Sequence, residues 1–348
     1  MELKINDVAF GGNGVGRLDG KAVFVPYTIP GELVEAHITR DRGKFAEAEL
    51  EGVLEVSPDR VDPPCRFFMQ CGGCAYQHIA YPAQLRIKQK QVQDTLRRVG
   101  GFAELEIAPV VGSPLPLGYR NRIRVHIDGG MVGFFSRERQ SLVEIDRCEL
   151  AMPAVNDELM RFRRKRGIRA GEKTIALRRT GSFEQTNDGV AKLLLAHVAA
   201  QLDKGGKLLV DAYCGSGFFA KPVRDKFERV VGIELNDRAV ARASADALPH
   251  ETYLTGSVDA HLDAVLAADV AAETSVVLDP PSSGLSQPVV DILARRKPAR
   301  LIYVSCDPAT MARDLKKLAA AGYNIRNVTP FDMFPQTAEI EVVAELVS

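Results

Sequence analysis

The sequence has no net charge, no long apolar run and no internal repeat, and each absence excludes a class of protein. Its 45 basic and 45 acidic side chains balance over 348 residues, so any contact with nucleic acid needs local basic patches. The first ten residues are too polar for a signal peptide, and no stretch approaches the length of a membrane span. We therefore expect a soluble cytoplasmic protein that has no membrane partner.

Cysteine is also scarce, with six residues in the chain, and in a reducing compartment these should not form disulfides. Three of them fall within a short segment, and a fourth lies far downstream: Cys65, Cys71, Cys74 and Cys148. Four thiolates favour zinc or an iron–sulfur cluster, and the spacing alone does not choose between these metals. His78 lies close by, but four thiolates complete a site, so we interpret this histidine as structural.

The patterns of apolar residues divide the chain into three parts. Residues 1–57 consist of short strand-like segments separated by turns, which predicts a small OB-like β-barrel. Residues 58–180 mix strands with a basic helix, which predicts a small α+β central domain that holds the metal. Residues 181–348 alternate continuous apolar strands with helices, which predicts a parallel sheet covered on both faces. The expected fold class is therefore α/β, with a Rossmann-like domain after a barrel and a central domain.

Two glycine-rich segments could bind a ligand, and their surroundings distinguish them. Residues 12–16 have the spacing of a dinucleotide loop, but a strand at Ala22 follows instead of a helix, so we interpret them as a flexible turn of the barrel. The segment from Asp211 to Gly217 leads from a strand into a helix, where glycines let a ligand approach the backbone closely. Glu234 ends the next strand, where an acid accepts hydrogen bonds from ribose hydroxyls, although an ordinary α/β turn shares this pattern.

A further motif, Asp279-Pro280-Pro281, follows a third strand at the same rim of the predicted sheet. Together with Asp211-x-x-x-Gly215-x-Gly217 and Ile233-Glu234, it resembles the class I methyltransferases rather than NAD enzymes. In that family the corresponding loop binds S-adenosylmethionine.

Cys306 follows a fourth strand end on this rim. An isolated cysteine is usually a small buried residue, which suits Cys214. It suits Cys306 less well, because Ser305, Asp307 and Pro308 are typical of a loop. Cys306 is therefore a candidate nucleophile.

Two motifs in the last part of the chain resemble the RNA (uracil-5-)-methyltransferases, namely Ser305–Asp314 and Asp332–Glu341. The resemblance, which spans essentially the whole chain, implies that the Cys306 thiolate adds to carbon 6 of a uracil. Carbon 5 then attacks the methyl sulfonium, and a base removes the carbon 5 proton so that the thiolate can leave. The terminal motif assigns this base to Glu341 rather than to Glu339, which would share its strand face.

The resemblance also implies the cofactor and metal ligands. Phe183-x-Gln185-x-Asn187 is similar to the family stretch whose glutamine contacts S-adenosylmethionine. The implied cofactor contacts are Gln185, Tyr213, Gly215, Glu234, Asp259 and Asp279. In the 23S ribosomal RNA branch the four cysteines correspond to ligands of a [4Fe–4S] cluster, and residues 1–57 resemble the TRAM domain. The family further suggests that the helix at about 77–108 packs on the catalytic domain.

We therefore expect a monomeric S-adenosylmethionine-dependent enzyme that methylates carbon 5 of a uridine in RNA, with 23S ribosomal RNA as its substrate. Some transfer-RNA members share the barrel and the cysteines, so transfer RNA is an alternative. A non-catalytic RNA-binding or RNA-folding protein that retains the fold is another. A cytosine-5 or amino-group methyltransferase would have a cysteine or an aromatic residue near the Asp-Pro-Pro motif, where this chain has Ser282.

Three positions depart from the family pattern. Asp307 replaces an asparagine, Ser282 replaces an arginine, and Phe218 replaces a polar residue of the cofactor loop. These departures concern cofactor affinity and substrate choice more than the reaction itself.

Two basic segments are candidates for phosphate contacts with RNA, although a charge run is usually a solvated face. One covers residues 161–166 together with Arg169. The other alternates along a predicted strand, with Arg120, Arg122 and Arg124 on one face.

Overall fold

The computed structural model describes residues 1–137, 141–165, 167–177 and 185–348. Three features singled out in the sequence lie outside the described residues, namely Phe183, Arg166 and the domain boundary at 180/181. Within the described part of the chain, no helix is long and apolar enough to cross a membrane.

The N-terminal strands close into a barrel in the order β1-β2-β3-β5-β4, which confirms the sequence-based prediction. The strands are β1 (Glu2–Val8), β2 (Asn13–Leu18), β3 (Lys21–Pro26), β4 (Leu33–Asp41) and β5 (Phe45–Glu55). Alternate residues point inward, and they form a core of small and branched side chains: Leu3, Ile5, Val23, Val25, Val34, Ala36, Ala46 and Ala48.

The prediction of a flexible turn at residues 12–16 is wrong for most of that segment, because β2 begins at Asn13. A Cβ atom on Gly14 would lie 1.9 Å from the hydroxyl oxygen of Thr28, and one on Gly16 would lie 2.5 Å from Cγ of Leu3. These glycines therefore allow neighbouring segments of the barrel to approach closely. The sequence spacing alone does not separate this steric role from that of a turn.

The middle of the chain contains a second, smaller sheet with the order β8-β7-β6-β9. Its elements are β6 (Arg122–Asp128), β7 (Met131–Phe135), β8 (Leu142–Glu144), α2 (Pro153–Arg163) and β9 (Gly171–Ala176). Helix α2 packs on this sheet through Val155 and Leu159, which share a core with Ile123 and Val125. Before the sheet, α1 (Tyr81–Thr95) continues as one π-helical turn, Leu96–Gly100.

The C-terminal part contains a seven-stranded sheet with the order β12-β11-β10-β13-β14-β16-β15. Its elements are α3 (Asp188–Gln201), β10 (Gly206–Ala212), β11 (Phe227–Glu234), α4 (Asp237–Ala245), β12 (Glu251–Thr255), α5 (Val258–Ala267), β13 (Thr274–Leu278), α6 (Gln287–Arg296), β14 (Arg300–Ser305), α7 (Pro308–Ala320), β15 (Asn324–Phe331) and β16 (Glu341–Val347). Two short 3₁₀ helices, Lys221–Lys226 and Ala271–Glu273, precede β11 and β13. Strand β16 is antiparallel to β14 and β15, whereas the other pairs are parallel.

Helices cover both faces of this sheet, as the continuous apolar strands predict. Helices α5, α6 and α7 pack on one face, and Val92 of α1 and Leu96 belong to the same core. Helix α3 packs on the other face through Val190, Leu194 and Val198. Each fully buried Val or Leu side chain stabilises the fold by about 1.5–3 kcal/mol. The division of the chain into domains at 57/58 and 180/181 stays a prediction.

The order of the strands reverses at β10, because β11 lies on one side of it and β13 on the other. In open α/β sheets, ligands bind outside the carboxyl ends of the strands at such a switch point. The carboxyl ends of β10, β11, β13 and β14 therefore form the rim on which a site is expected.

Candidate active site

Strand pairing brings the two predicted catalytic residues together on this rim. Ser305, the last residue of β14, pairs with Val342 of the antiparallel strand β16. One further step of the same register places Cys306 opposite Glu341, the first residue of β16. Residues 35 positions apart in the chain therefore meet because β16 inserts between β14 and β15.

Cys306 lies in the short connection between β14 and α7 and is exposed. Asp307 caps α7, since one carboxylate oxygen accepts hydrogen bonds of 2.8 Å from the amides of Ala309 and Thr310. The amide of Asp307 donates in turn to the hydroxyl of Ser305 at 3.1 Å. Aspartate and asparagine cap helices equally well, so this departure from the family preserves the local geometry and adds a negative charge beside the thiol.

The surroundings of Cys306 disfavour its thiolate in the absence of ligands. Partial burial raises the pKa of its thiol to about 11, and the negative charges of Glu341, Asp279 and Asp307 act in the same direction. A cation bound near these carboxylates would oppose their effect. Positive charge that enters the site would therefore lower the pKa of the Cys306 thiol and favour its thiolate.

Glu341 is a buried carboxyl group, only 5% exposed. Burial raises its pKa well above the ordinary value, and the nearby charges of Asp279 and Glu339 add to this effect. Glu339 itself is exposed and precedes β16. The expectation that the two glutamates share one strand face is therefore wrong, because the strand begins only at Glu341.

Glu234, at the end of β11, is hydrogen-bonded to the glycine turn, residues 213–217. The amide of Gly215 donates to one of its carboxylate oxygens at 3.0 Å, and the amide of Asn236 donates to the other at 2.8 Å. Tyr213 and Gly217 adopt left-handed backbone angles, with φ of 66° and 86°. A carboxylate has about four lone-pair positions, so Glu234 keeps acceptor capacity for a ligand.

A second carboxylate, that of Asp211, lies beneath this turn. In the sequence Asp211 is only the first position of the glycine motif. Asp211 is fully buried in β10. One of its oxygens accepts from the amide of Ala220 at 3.1 Å, and the other has no hydrogen-bond partner within the described residues. Burial raises its pKa to about 7, with Asp279 and Glu234 acting in the same direction. Burial likewise raises the pKa of Asp279 to about 7. Three neighbouring carboxyl groups make this crevice suitable for a cation.

The other predicted cofactor residues lie at the start of α5 and just before α3. Asp259 is exposed in the first turn of α5, and its charge raises the pKa of Tyr213, after burial as the main cause. Gln185 directly follows an undescribed segment, and its carbonyl accepts from the side-chain amide of Asn121 at 2.9 Å. Asn187 caps α3 and donates to the carbonyl of Met333 at 3.3 Å.

Two further residues have plain structural explanations. The ring of Phe218 packs edge-on against that of Phe219 at a centroid distance of 4.8 Å, which accounts for an apolar residue in the cofactor loop. Cys214 is buried at 4% exposure, which confirms its interpretation as a core residue.

Comparisons with known proteins agree with this geometry. Residues 1–50 match the TRAM domain family model, and residues 261–347 match the tRNA (Uracil-5-)-methyltransferase family model. An uncharacterized RNA methyltransferase of Bdellovibrio bacteriovorus is 32% identical over 99% of this chain and 94% of its own. Another, from Halalkalibacterium halodurans, is 29% identical over 99% and 96%. The chain belongs to the RNA (uracil-5-)-methyltransferase family. It is thus an S-adenosylmethionine-dependent RNA methyltransferase with a TRAM domain.

One solved structure has the same fold as this methyltransferase over the whole length of both chains. The Pyrococcus abyssi tRNA (uracil-54, C5)-methyltransferase, solved with S-adenosyl-L-homocysteine, is 24% identical, covers 100% of both chains and has a TM-score of 0.74. The predicted fold class is therefore confirmed.

The four cysteines of the methyltransferase come together from two segments of the chain. Within the described residues, no three potential ligands are spaced to hold a metal ion. Two of the sulfurs nevertheless accept hydrogen bonds, Cys71 from the amide of Gly73 at 3.5 Å and Cys74 from the side-chain amide of Gln77 at 3.1 Å. N–H donors of this kind stabilise metal-bound thiolates. The donor type, four cysteine sulfurs, therefore suits zinc or an iron–sulfur cluster, although the spacing of these sulfurs is not that of a metal site.

Two buried residues, Gln77 and His78, follow the first three of these cysteines in the chain. Gln77 is buried and connects two of them, because it donates to Cys74 at 3.1 Å and accepts from the amide of Cys65 at 3.1 Å. His78 is buried beside the rings of Tyr27 and Phe68, and burial lowers its pKa to about 3. It is a neutral structural residue, as expected.

The basic segments of the methyltransferase differ from the prediction. Arg120 precedes β6 and therefore does not continue the face of Arg122 and Arg124. Arg163 is half-buried and donates to Glu144 and to the carbonyl of Ile145, both at 2.6 Å. Arg163 therefore stabilises the central part of the protein. Arg164 and Lys165, next in sequence, are exposed and are better candidates for phosphate contacts.

Proposed function

We propose that the enzyme methylates carbon 5 of one uridine in 23S ribosomal RNA through a covalent adduct of Cys306, with Glu341 as the base. The observation that carries this proposal is the register of β14 and β16, which directs Cys306 and Glu341 to the rim where the acidic crevice lies. The monomeric state and the cytoplasmic location predicted from the sequence belong to the same proposal.

The chemistry divides between these two residues. The Cys306 thiolate forms a bond to carbon 6 of the uracil, and the electron pair released toward carbon 5 makes that carbon nucleophilic. S-adenosylmethionine supplies the methyl group that carbon 5 takes up. The Glu341 carboxylate then removes the proton from carbon 5, the ring double bond re-forms and the bond between carbon 6 and sulfur breaks. A carboxyl group whose pKa is raised by burial is a stronger base for this step.

The crevice beside these residues suits the charge of the cofactor. Asp211, Glu234 and Asp279 are carboxyl groups whose ionised forms a cation stabilises, and S-adenosylmethionine carries a sulfonium and an ammonium group. Binding it would therefore lower the pKa of each carboxyl and of the Cys306 thiol. We assign Gln185, Tyr213, Gly215, Glu234, Asp259 and Asp279 to the cofactor site, together with Asp211.

The choice of RNA rests on the domains and cysteines that accompany the catalytic part of the chain. The barrel together with the four cysteines supports 23S ribosomal RNA. Transfer RNA is a second candidate, because the family model that matches residues 261–347 is that of tRNA (Uracil-5-)-methyltransferase. Mapping of 5-methyluridine by mass spectrometry in a strain without this gene decides between them. A uridine unmodified in 23S RNA and restored by the wild-type gene, but not by Cys306→Ala, would support the proposal. Loss confined to transfer RNA would contradict the ribosomal assignment.

We further propose that Cys65, Cys71, Cys74 and Cys148 bind a [4Fe–4S] cluster. Protein purified without oxygen should then contain about four iron atoms and four sulfides per chain. Cys71→Ser should lose most of this iron, whereas Cys214→Ser, which changes a cysteine in another core, should keep it. One zinc ion per chain in place of iron would show that the cysteines form a zinc site.

Binding of RNA phosphates by Arg164 and Lys165 predicts a specific salt dependence. Changing both to glutamate should weaken RNA binding and reduce the slope of log K against log salt by about 0.9 for each phosphate that is no longer neutralised. Affinity for S-adenosylhomocysteine should not change. Lys204→Glu is the matched control, since Lys204 is exposed just before β10, at the edge of the sheet opposite the rim. Equal effects of all three substitutions would indicate a nonspecific influence of net charge.

A further inference from the structure

The loop that leads into Glu341, residues 332–340, is held by a buried lysine from outside the catalytic sheet. Lys88 lies in α1 and is fully buried. Its ammonium group donates to a carboxylate oxygen of Asp332 at 2.5 Å, to the carbonyl of Phe334 at 3.1 Å and to the carbonyl of Glu339 at 2.7 Å. An ammonium group has three protons, so its entire donor capacity is used on this loop.

Packing alone does not explain a lysine at this position. Burial of an ammonium group is costly unless the charge is paired and hydrogen-bonded, and an apolar side chain would fill the same space without that cost. Val92, one helical turn further along α1, does so within the sheet core. The specific gain from Lys88 is therefore the set of three hydrogen bonds to the loop.

These hydrogen bonds lie at both ends of the loop. Asp332 and Phe334 stand where the chain leaves β15, and Glu339 stands two residues before Glu341 at the entrance to β16. A single side chain thus fixes the distance between the two ends. The carbonyl of Phe334 also accepts from the hydroxyl of Thr337 at 2.8 Å, which closes the turn between them.

A second residue of α1 holds the middle of the loop. The side-chain amide of Gln84 donates to the side-chain oxygen of Gln336 at 2.9 Å, and the backbone amide of Gln336 donates to the side-chain oxygen of Gln84 at 3.1 Å. Gln336 has a left-handed φ of 69°, a conformation that a non-glycine residue keeps only where its surroundings impose it. The shape of the loop is therefore set by α1 as well as by its own sequence.

We propose that Lys88 is a positioning residue for the second half of the reaction, and that it holds the loop so that the Glu341 carboxylate stays within reach of the carbon 5 proton of the adduct. The proposal rests on the proposed function, because it takes Glu341 as the base. Lys88 does not touch the reacting atoms. It acts through the main chain of residues 334 and 339.

Lys88→Met tests the proposal, because methionine keeps an unbranched side chain that is one atom shorter and removes all three hydrogen bonds. Adduct formation and methyl transfer in the first turnover should stay within a few-fold of wild type. Release of the methylated RNA should slow roughly ten- to a hundredfold, as a small misplacement of a catalytic group does. Denaturing gels should then show a methylated protein–RNA species. A substitution that only weakened the fold would slow both halves of the reaction alike.

Two further variants control for misfolding and for the loss of a lysine charge. Lys88→Met leaves Asp332 buried without its partner, so Lys88→Met with Asp332→Asn removes that charge if the single variant does not fold. Lys90→Met is the matched control, because Lys90 lies two residues further along α1, is exposed and pairs with Asp7 and Asp94. It should leave both halves of the reaction unchanged.

Glu341→Gln, measured in parallel, separates this proposal from the proposed function. Trapping by Glu341→Gln together with normal release by a folded Lys88 variant would overturn the positioning role alone. The same holds if the Lys88 variants slow adduct formation and release to equal extents. Absence of trapping by Glu341→Gln would remove the basis of both proposals.

Discussion

Replacement of Cys306 by alanine is expected to abolish methylation and to leave binding of S-adenosylhomocysteine intact. Without a thiolate on carbon 6, carbon 5 of uracil has too little electron density to attack the methyl group, and removal of a covalent nucleophile typically costs roughly 10⁴-fold or more in rate. The substitution removes one exposed sulfur. It leaves in place the hydrogen bond from the amide of Gly215 to Glu234, which holds the glycine turn. Mass spectrometry of 5-methyluridine measures the loss of methylation. Calorimetric titration measures the binding of S-adenosylhomocysteine.

The control is Cys214→Ala, which removes a buried cysteine just after β10 and should retain the reaction. The wild type provides a second check through pH. Because the pKa of the Cys306 thiol is about 11 in the free protein, its thiolate fraction rises about tenfold per pH unit below that value. The first-turnover rate of adduct formation should therefore increase with pH between about 6 and 9, less steeply when the positive cofactor lowers this pKa. Substantial methylation by Cys306→Ala, or a rate that falls with pH, would exclude the thiolate mechanism.

Local sequence patterns are sufficient to predict the strands of the site and the residues that follow them. Continuous apolar strands such as Val276–Leu278 indicate a buried parallel sheet, and loop-forming residues after a strand place Cys306 and Asp279 at its rim. These assignments need no knowledge of distant contacts. They also predict the correct fold class, because strand and helix periods differ clearly in this part of the chain.

What sequence reasoning missed depends on contacts between distant segments. Lys88 and Asp332 are 244 positions apart, and a lysine within a helix carries no local sign that it is buried. Arg163 belongs to a basic run, yet its guanidinium pairs with Glu144. Glu339 and Glu341 have the spacing of one strand face, but the strand begins after the first of them. In each case tertiary packing, rather than local pattern, decides the role of the residue.

Substitution of Glu341 is expected to block a different step of the reaction from substitution of Cys306. The carboxyl group is buried at the start of β16, opposite Cys306 in the strand register and near Asp279. In the proposed mechanism it has no part in the attack on carbon 6 or in the transfer of the methyl group. Its only proposed task is to take the carbon 5 proton from an adduct that is already methylated.

Glu341→Gln should therefore form the adduct and transfer the methyl group, then release the RNA very slowly, because an amide cannot accept the proton. Denaturing gels should show a stable protein–RNA species, and mass spectrometry should find the methyl group in it. In the wild type, release should slow as the pH falls through the raised pKa of Glu341, since only the ionised carboxylate acts as a base. Glu339→Gln, at an exposed position before the strand, should turn over normally. If Glu339→Gln traps the RNA and Glu341→Gln does not, the base is the exposed glutamate, and the raised pKa of Glu341 reflects burial alone.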